Sequence, residues 1–217
     1  MIVHHLNKNN SLLNRFMTEL RDQEIQKDSM RFRRNMERIG EILAYELSKS
    51  LVYQERIITT PFGEKKVSLD SDPLVLCSVL RAGLPLHYGL LNFLDKAENA
   101  FISAYRHHPD DSDDFDVIVK YFAAPSLQDK ILLLADPMLA TGKTLENVYS
   151  ALKSHGQPKQ IHLLSVIGSE KGVSYVSQRF PEDTHLWIAD IDPVLTSKGY
   201  IVPGLGDAGD LSYGEKL

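Results

Sequence analysis

The chain has 217 residues, of which 43% are apolar and 24% are charged, a balance typical of a soluble globular protein with a hydrophobic core. The net charge of −5 argues against a general affinity for nucleic acid, and the apolar runs fall short of the roughly 20 residues that a membrane span requires, so we expect neither partner. A single cysteine, Cys77, excludes an intrachain disulfide and predicts a reducing, cytoplasmic location. Its apolar surroundings predict that it is a core residue.

The predicted elements change character along the chain. Residues 1–50 carry apolar residues at helical spacing, and a polar, extended region near 55–70 contains TTPFGE, a predicted hairpin turn. From residue 74, short apolar runs alternate with helical patterns. The predicted strands are 74–80, 100–105, 116–122, 130–136, 160–167 and 185–190, and the predicted helices are 84–95, 143–155 and 170–179. This alternation predicts an α/β domain with a largely parallel sheet flanked by helices.

Ligands of open parallel sheets bind beyond the carboxyl ends of the strands. Three polar or charged segments follow predicted strands in this chain: RAG (81–83), RHH (106–108) and DPMLATGKT (136–144). We therefore expect these segments to lie near one another at one edge of the sheet.

The GKT at 142–144 resembles the end of a Walker A loop, which binds a nucleoside triphosphate. The first glycine of such a loop would fall at position 137, where this chain has Pro137, and proline has no N–H to offer a phosphate. The turn still leads into a helix whose N-terminus favours an anion, with Thr141 and Thr144 as further donors. A carboxylate such as Asp136 can accept hydrogen bonds from ribose hydroxyls. The segment therefore favours a sugar monophosphate, and an ordinary strand–helix turn is the alternative.

A second glycine-rich segment, GLGDAG (204–209), fits the spacing of a dinucleotide-binding fingerprint. Eight residues follow it, too few for the βαβ unit that this fingerprint needs. Glycines allow backbone N–H and C=O groups to approach a flat ligand, and a base such as uracil could be recognised in this way. A glycine-rich surface turn is the alternative.

Together these segments resemble the uracil phosphoribosyltransferases, a family of type I phosphoribosyltransferases. The resemblance rests on VLRAGLP (79–85), AYR (104–106), KYFAAPS (120–126), LADPMLATGKT (134–144), GYIVPGLGDAGD (199–210) and the helical segment DSMRFRRNMERIGEILAYE (28–46). It implies a type I phosphoribosyltransferase fold with N-terminal helices and a small C-terminal hood. One domain over 1–217 would comprise a helical region at about 1–50, an α/β core at about 70–190 and a base-binding segment at about 191–217.

The resemblance implies that uracil and 5-phospho-α-D-ribose 1-diphosphate (PRPP) react to give UMP and diphosphate, with Mg²⁺ bound mainly through PRPP. The residues implied to be catalytic are Arg81, Arg106 and Asp207. Those implied to bind PRPP are Arg81, Arg106, Asp136, Pro137, Met138, Leu139, Ala140, Thr141, Gly142, Lys143, Thr144 and Asp207. Those implied to bind uracil are Ile201, Gly206, Asp207 and Ala208.

Several features depart from the family pattern or leave alternatives open. Lys143 stands where the family usually has glycine, and its ammonium could contact a phosphate or point to solvent. The segment HHPDDSDDFD (107–116) could bind Mg²⁺ or form an exposed loop. The pairs His4-His5 and His107-His108 could bind a metal, although solvated positions are favoured because no further ligands have suitable spacing. MRFRR (30–34) predicts a solvated helix face, a subunit interface or a phosphate effector site.

By resemblance, we also expect a homo-oligomer, dimer or tetramer, and a GTP effector. Two other functions compete with the salvage enzyme. One is a phosphoribosyltransferase for another nucleobase, and the other is an RNA-binding regulator that senses PRPP or UMP. The acidic balance and the lack of a basic stripe count against the regulator.

Overall fold

The computed structural model describes residues 1–107 and 116–216, with side chains for 1–103 and 121–216. The helices in these ranges are α1 (Leu13–Arg21), α2 (Ser29–Ser48), α3 (Gly83–Leu91), α4 (Lys143–Leu152), α5 (Glu170–Arg179) and α6 (Ala208–Tyr213). The strands are β1 (Ile2–His5), β2 (Tyr53–Thr60), β3 (Gly63–Asp70), β4 (Leu74–Leu80), β5 (Glu98–His107), β6 (Asp116–Ala123), β7 (Ile131–Ala135), β8 (Met138–Leu139), β9 (Gln160–Ser169), β10 (His185–Asp192), β11 (Val194–Leu195) and β12 (Ile201–Val202).

The main sheet has the strand order β1-β10-β9-β7-β4-β5-β6, and the short β8 also pairs with β9. Every pairing in this sheet is parallel except that between β5 and β6, which is antiparallel. The predicted α/β fold with a largely parallel sheet flanked by helices is therefore confirmed.

Each face of the sheet has its own hydrophobic cluster. Neighbouring residues of β7, Leu133 and Leu134, belong to different clusters because successive side chains of a strand point to opposite faces. Helices α1, α2 and α3 contribute to the cluster of Leu133, and α4 and α5 contribute to the cluster of Leu134. Cys77 is buried in the second cluster, and burial raises the pKa of its thiol to about 12, so it is a core residue, as predicted.

The prediction that residues 1–50 are helical is wrong for Ile2–His5. These residues form β1, which extends the sheet beside β10 in parallel register. His4 stacks on Trp187 of β10 with ring centroids 3.6 Å apart, and the Ile2 N–H donates to the carbonyl of Thr184. A strand of four half-exposed residues is held by its neighbour and lacks the apolar alternation by which strands are recognised in a sequence.

Strands β2 and β3 form a hairpin that pairs from Tyr53–Asp70 to Thr60–Gly63, which confirms the predicted turn. Nearly all of its residues are exposed, including the apolar side chains of Ile57 (64% exposed) and Phe62. Among the described residues, no helix is long and apolar enough to cross a membrane.

Candidate active site

The segment from Asp136 to Thr144, here called the phosphate loop, follows β7 and leads into α4. The Asp136 side chain is buried at the end of the strand, where its Oδ1 accepts a hydrogen bond from the Met138 N–H (3.1 Å). Gly142 adopts φ = 82°, and a Cβ at this position would lie 2.8 Å from the ring of Tyr175. Glycine is therefore required where the loop enters the helix. The turn places the N-terminal N–H groups of α4 beside Thr141 and Thr144.

Side chains of β9 hold the phosphate loop from behind. Ser165 Oγ donates to the carbonyl of Asp136 (2.7 Å), and Ser169 Oγ donates to the carbonyl of Ala140 (2.6 Å). Ser169 also caps α5 by accepting the Gly172 N–H. A Cβ at Gly172 would lie 2.4 Å from the Ala140 oxygen, so α5 packs directly on the loop backbone. These hydrogen bonds could not be predicted from the sequence, because strand periodicity does not show to which carbonyls a serine donates.

The phosphate loop lines a shallow surface depression. Its lining residues are Asp136, Met138, Leu139, Ala140, Thr141, Gly142, Thr144 and Leu145. Pro137 instead directs its carbonyl to β9, where it accepts from the N–H groups of Val166 and Ile167. Lys143, whose backbone N–H donates to Thr141 Oγ1 (3.3 Å), is the first residue of α4. Seven of the nine residues predicted in this segment thus share one concave surface.

Arg81 follows β4, the strand next to β7, and its side chain extends towards the C-terminal segment. Its Nη2 donates to Asp210 Oδ1 (2.8 Å), and Nη1 and Nη2 both donate to the carbonyl of Gly214 (3.2 Å each). The side chain remains 40% exposed. The structure thus brings together the RAG segment and the last turn of the chain, which are more than 120 residues apart in sequence.

The C-terminal segment leaves the sheet and forms a separate small unit. Ile201 is buried in β12, which pairs with β11 through Leu195, and the glycine-rich turn leads into α6. Asp207 is the N-cap of α6, because its Oδ1 accepts the N–H groups of Gly209 (2.9 Å) and Asp210 (3.0 Å). The Ala208 side chain is buried behind the turn, whereas Gly206 is exposed.

The negative charge of Asp207 is stabilised at the start of α6. Burial alone would raise the pKa of its carboxyl group, but the Asp210 N–H and the Lys216 ammonium outweigh that effect and lower the pKa. Lys216 Nζ lies 3.3 Å from Asp207 Oδ2. Asp207 is therefore an anion at neutral pH, able to accept hydrogen bonds from hydroxyl groups or to face a cation.

Arg106 lies in β5, where its backbone is opposite Val117 of β6. Its side chain lies outside the described part of the structure. The same holds for residues 108–115, on which the predictions of an aspartate-rich Mg²⁺ site or exposed loop and of a metal-binding His108 depend. Within the described residues, no group of three or more His, Cys, Asp or Glu side chains could hold a metal ion. His4 and His5 instead contact Trp187 and Asp190.

A polar chain with two buried members links β4, α3 and β5 and was not expected from the sequence. Ser78 Oγ and His87 Nδ1 are 2.8 Å apart, and His87 Nε2 and Asn99 Oδ1 are also 2.8 Å apart. The order Ser–His–Asn resembles a nucleophilic triad, but Ser78 and His87 are fully buried and a substrate could not reach them. Burial lowers the pKa of His87, so the ring is neutral. The chain therefore ties β4, α3 and β5 together beneath Arg81.

Comparison with known proteins identifies the class to which this fold and site belong. A structure of the AQ2163 protein from Aquifex aeolicus superposes over the full length of both chains with a TM-score of 0.88 at 27% identity. The fold is that of a type I phosphoribosyltransferase.

Sequence comparison then gives the family. The family model described as uracil phosphoribosyltransferase matches residues 7–214. A uracil phosphoribosyltransferase of Porphyromonas gingivalis is 53% identical over the whole of both chains. One of Methanococcus vannielii is 37% identical over 92% of this chain and 84% of its own. The chain belongs to the uracil phosphoribosyltransferase family.

Proposed function

We propose that this protein is a pyrimidine salvage enzyme that converts uracil and PRPP to UMP and diphosphate. The observation that carries the proposal is the match to the uracil phosphoribosyltransferase family over residues 7–214. The geometry supports it, because the phosphate loop and Arg81 follow adjacent parallel strands and Asp210 of α6 binds Arg81. The chain would form one domain with an N-terminal region at about 1–50, an α/β core at about 70–190 and a base-binding segment at about 191–217.

PRPP would be held by the phosphate loop and by arginines on separate segments. The N–H groups from Ala140 to Thr144 would surround the 5′-phosphate at the head of α4, where the helix dipole favours an anion. Asp136 would accept hydrogen bonds from the ribose hydroxyls. Arg81 and Arg106 would bind the diphosphate, since the planar guanidinium group can contact two phosphate oxygens at once.

Uracil would be recognised by the C-terminal turn, largely through backbone groups. Ile201, Gly206 and Ala208 would meet the edge of the base, and Asp207 would lie between the base and PRPP. The exposed backbone at Gly206 and the rigid N-cap at Asp207 support this arrangement, because both sit at the start of α6 on the side of Arg81.

In the reaction, uracil N1 forms a bond to the anomeric carbon of ribose as the bond from that carbon to the diphosphate oxygen breaks. The N1 proton of uracil is released to solvent, and diphosphate leaves with additional negative charge. Arg81 would stabilise that charge after exchanging the Gly214 carbonyl for diphosphate oxygens. Mg²⁺ bound through PRPP would neutralise part of the same charge, and the carboxylates of Asp136 and Asp207 are hard oxygen donors of the kind it accepts.

The proposal includes a homo-oligomer and a GTP effector. The exposed apolar side chains of the β2–β3 hairpin support a homo-oligomer, dimer or tetramer, because such a surface commonly marks a protein contact. Arg33 of α2 donates to the Ser212 carbonyl of α6 (2.7 Å), so an anionic effector such as GTP on this basic helix would be coupled to the base-binding segment. A cytoplasmic location remains an expectation from the salvage role.

An assay of UMP formation from uracil, PRPP and Mg²⁺ tests the proposal. We expect Arg81→Ala and Asp207→Ala each to lower kcat/KM by about 100-fold or more, as the loss of one group that stabilises developing charge does. Arg15→Ala, on the exposed face of α1, controls for loss of an arginine. Asp28→Ala controls for loss of a helix cap, because Asp28 caps α2 by accepting the Arg31 N–H (3.1 Å).

A panel of nucleobases in the same assay separates this function from its competitors. If another base reacted and uracil did not, the protein would be a phosphoribosyltransferase for that base. Failure of the wild-type protein to form any nucleotide from PRPP would overturn the proposal. Neither alternative function is favoured by the comparisons, since the relatives named above are uracil phosphoribosyltransferases.

A further inference from the structure

The C-terminal turn, residues 203–207, lies outside the main sheet and needs some other support. It connects β12, whose ladder with β11 is two residues long in each strand, to α6, and its Leu205 is buried in the core. Both Gly204 and Gly206 have positive φ, so the turn has a specific and unusual backbone path. A short ladder of this kind cannot by itself fix the orientation of peptide groups several residues further along the chain.

Arg21, the last residue of α1, and Asp192 together fix the two peptide groups on either side of Gly204. Arg21 Nη1 donates to the Gly204 carbonyl (2.9 Å), and the Gly204 N–H donates to Asp192 Oδ2 (2.8 Å). Arg21 also binds both oxygens of Asp192, at 2.8 and 2.9 Å. The three groups form a closed ring of charge-assisted hydrogen bonds, a strong arrangement in protein interiors. Both the donor and the acceptor of Gly204 are thereby held.

A second carboxylate fixes the guanidinium group itself. Arg21 Nη2 donates to Asp190 Oδ2 (2.8 Å), and Asp190 Oδ1 accepts from His5 Nε2 (3.1 Å). Burial alone would raise the pKa of Asp190, but the hydrogen bonds from Arg21 and His5 hold it below its ordinary value. Asp192 is 5% exposed, so little solvent screens the ring. Arg21 thus joins β10 to the turn with one rigid side chain.

The segment that follows α1 supports the turn at a second point. Gln26 Nε2 donates to the Arg21 carbonyl (3.0 Å), which orients the side-chain amide. Gln26 Oε1 lies 3.5 Å from the position that a Cβ would take on Gly206. The segment from Arg21 to Gln26 therefore lies against both ends of the stretch Gly204–Gly206.

We propose that Arg21, acting with Asp192, is a positioning residue for uracil: it sets the backbone path of the turn that recognises the base. The inference rests on the proposed function. Arg21 does not contact a reacting atom. It acts through the two peptide groups that flank Gly204, two residues before Gly206, so loss of the ring rotates the groups that meet the base. The phosphate loop has its own support from β9 and α5, and it is unaffected.

Steady-state kinetics with each substrate varied in turn test this role. We expect Arg21→Gln to raise the KM for uracil about 10-fold or more while the KM for PRPP changes less than twofold, because misplaced recognition groups weaken binding of the base. Asp192→Asn should show the same split, and the double variant should be no worse than the poorer single variant. Arg21→Lys, which keeps the charge and loses the planar fork, should fall between wild type and Arg21→Gln. Arg15→Gln, on the exposed face of α1, is the matched control.

A structural measurement keeps the inference testable if the variants are unstable or the proposed function fails. Hydrogen–deuterium exchange of the unliganded protein should become faster in residues 203–210 of Arg21→Gln and stay unchanged in residues 136–142. Equal changes in the KM values of both substrates, an unchanged KM for uracil, or unchanged exchange in 203–210 would each overturn the positioning role. Absence of UMP formation by the wild type would overturn the proposed function alone, since the exchange pattern does not depend on substrate.

Discussion

The phosphate loop and the C-terminal turn are both backbone cradles, but they are held in different ways. The phosphate loop is continuous with β7 and α4, and its carbonyls are fixed by Ser165 and Ser169 of the neighbouring strand. The C-terminal turn is fixed by hydrogen bonds between Gly204 and the side chains of Arg21 and Asp192, and Arg21 comes from near the other end of the chain. One cradle is part of the sheet, and the other is attached to it through charged side chains.

This difference predicts how each cradle responds to change. A loop built into a parallel sheet is packed on both sides, so it should be sensitive to added volume and tolerant of lost charge. A turn held by ion pairs should be sensitive to lost charge and geometry. Substitutions near the two cradles should therefore separate the KM for PRPP from the KM for uracil.

Among the substitutions that test this comparison, the largest effect is expected for Gly172→Ala. The added Cβ would lie 2.4 Å from the Ala140 oxygen and 2.6 Å from the Leu139 oxygen, and both are backbone atoms that cannot move away without shifting the phosphate loop. A displacement of about 1 Å in a positioning group can lower the rate about 100-fold. We expect kcat/KM for PRPP to fall by that factor and the free energy of unfolding to fall by about 1–3 kcal/mol.

Ser174→Ala, two residues further along α5 on its exposed face, is the control for this experiment. It adds no volume at the loop and should retain wild-type kinetics. If Gly172→Ala were to raise the KM for uracil as much as that for PRPP, the two cradles would not be independently supported, and the comparison would fail.

Acid should weaken the sheet beside the phosphate loop before it breaks the ion pairs at the C-terminal turn. Burial, with the nearby His185 and His4, lowers the pKa of His162 to about 3, so the ring stays neutral in the folded protein, where Nδ1 accepts from the Trp187 indole (2.9 Å). In the unfolded chain the same ring takes up a proton below about pH 6.5. The lowered pKa therefore has no effect on the free energy of unfolding above pH 6.5. As the pH falls from 6.5 towards 3, that free energy decreases by about 1 kcal/mol per pH unit.

Urea unfolding at pH 7, 6, 5 and 4, followed by the fluorescence of Trp187, measures this slope; the chain has no other tryptophan. His162→Gln should reduce the slope even if it lowers stability at pH 7, and His155→Gln, in the turn after α4, serves as the control. Although burial alone would raise it, the hydrogen bonds from Arg21 hold the pKa of Asp190 below its ordinary value, so the pairs around Arg21 stay charged from pH 7 to 5, where protonation of His162 in the unfolded chain already lowers stability. An unchanged slope in His162→Gln would contradict the assignment.

The two cradles also differ in how far the sequence predicted them. Strand-type runs followed by polar residues predict that Asp136 and Arg81 lie beyond the ends of strands in a parallel sheet, and the structure has them after the adjacent strands β7 and β4. Pro137 argues against a triphosphate loop. The role of the glycine-rich turn came from family resemblance, since spacing alone also fitted a surface turn.

The features that could not be predicted from the sequence are contacts between distant segments of the chain. Nothing in the pattern around Arg21 distinguishes it from an exposed arginine at the end of an amphipathic helix, because its partners are 169 to 183 residues further along the chain. The strand β1 was missed for a similar reason, since four half-exposed residues acquire strand structure only by pairing with β10. Tertiary partners, rather than local propensity, determine both features.

The smallest effect is expected for Ser169→Ala, which removes support from the phosphate loop without adding volume. It leaves the buried Ala140 carbonyl without this donor and removes the cap on the Gly172 N–H. Together these losses should cost about 2 kcal/mol and lower Tm by about 5 °C. The KM for PRPP should rise several-fold and that for uracil should not change, because the loop keeps its packing against α5. Ser177→Ala, whose hydroxyl donates to the Val173 carbonyl at the exposed surface of α5, is the matched control. A loss of activity as large as that of Gly172→Ala would mean that hydrogen bonds, and not packing, hold this cradle, which would remove the contrast with the turn around Gly204.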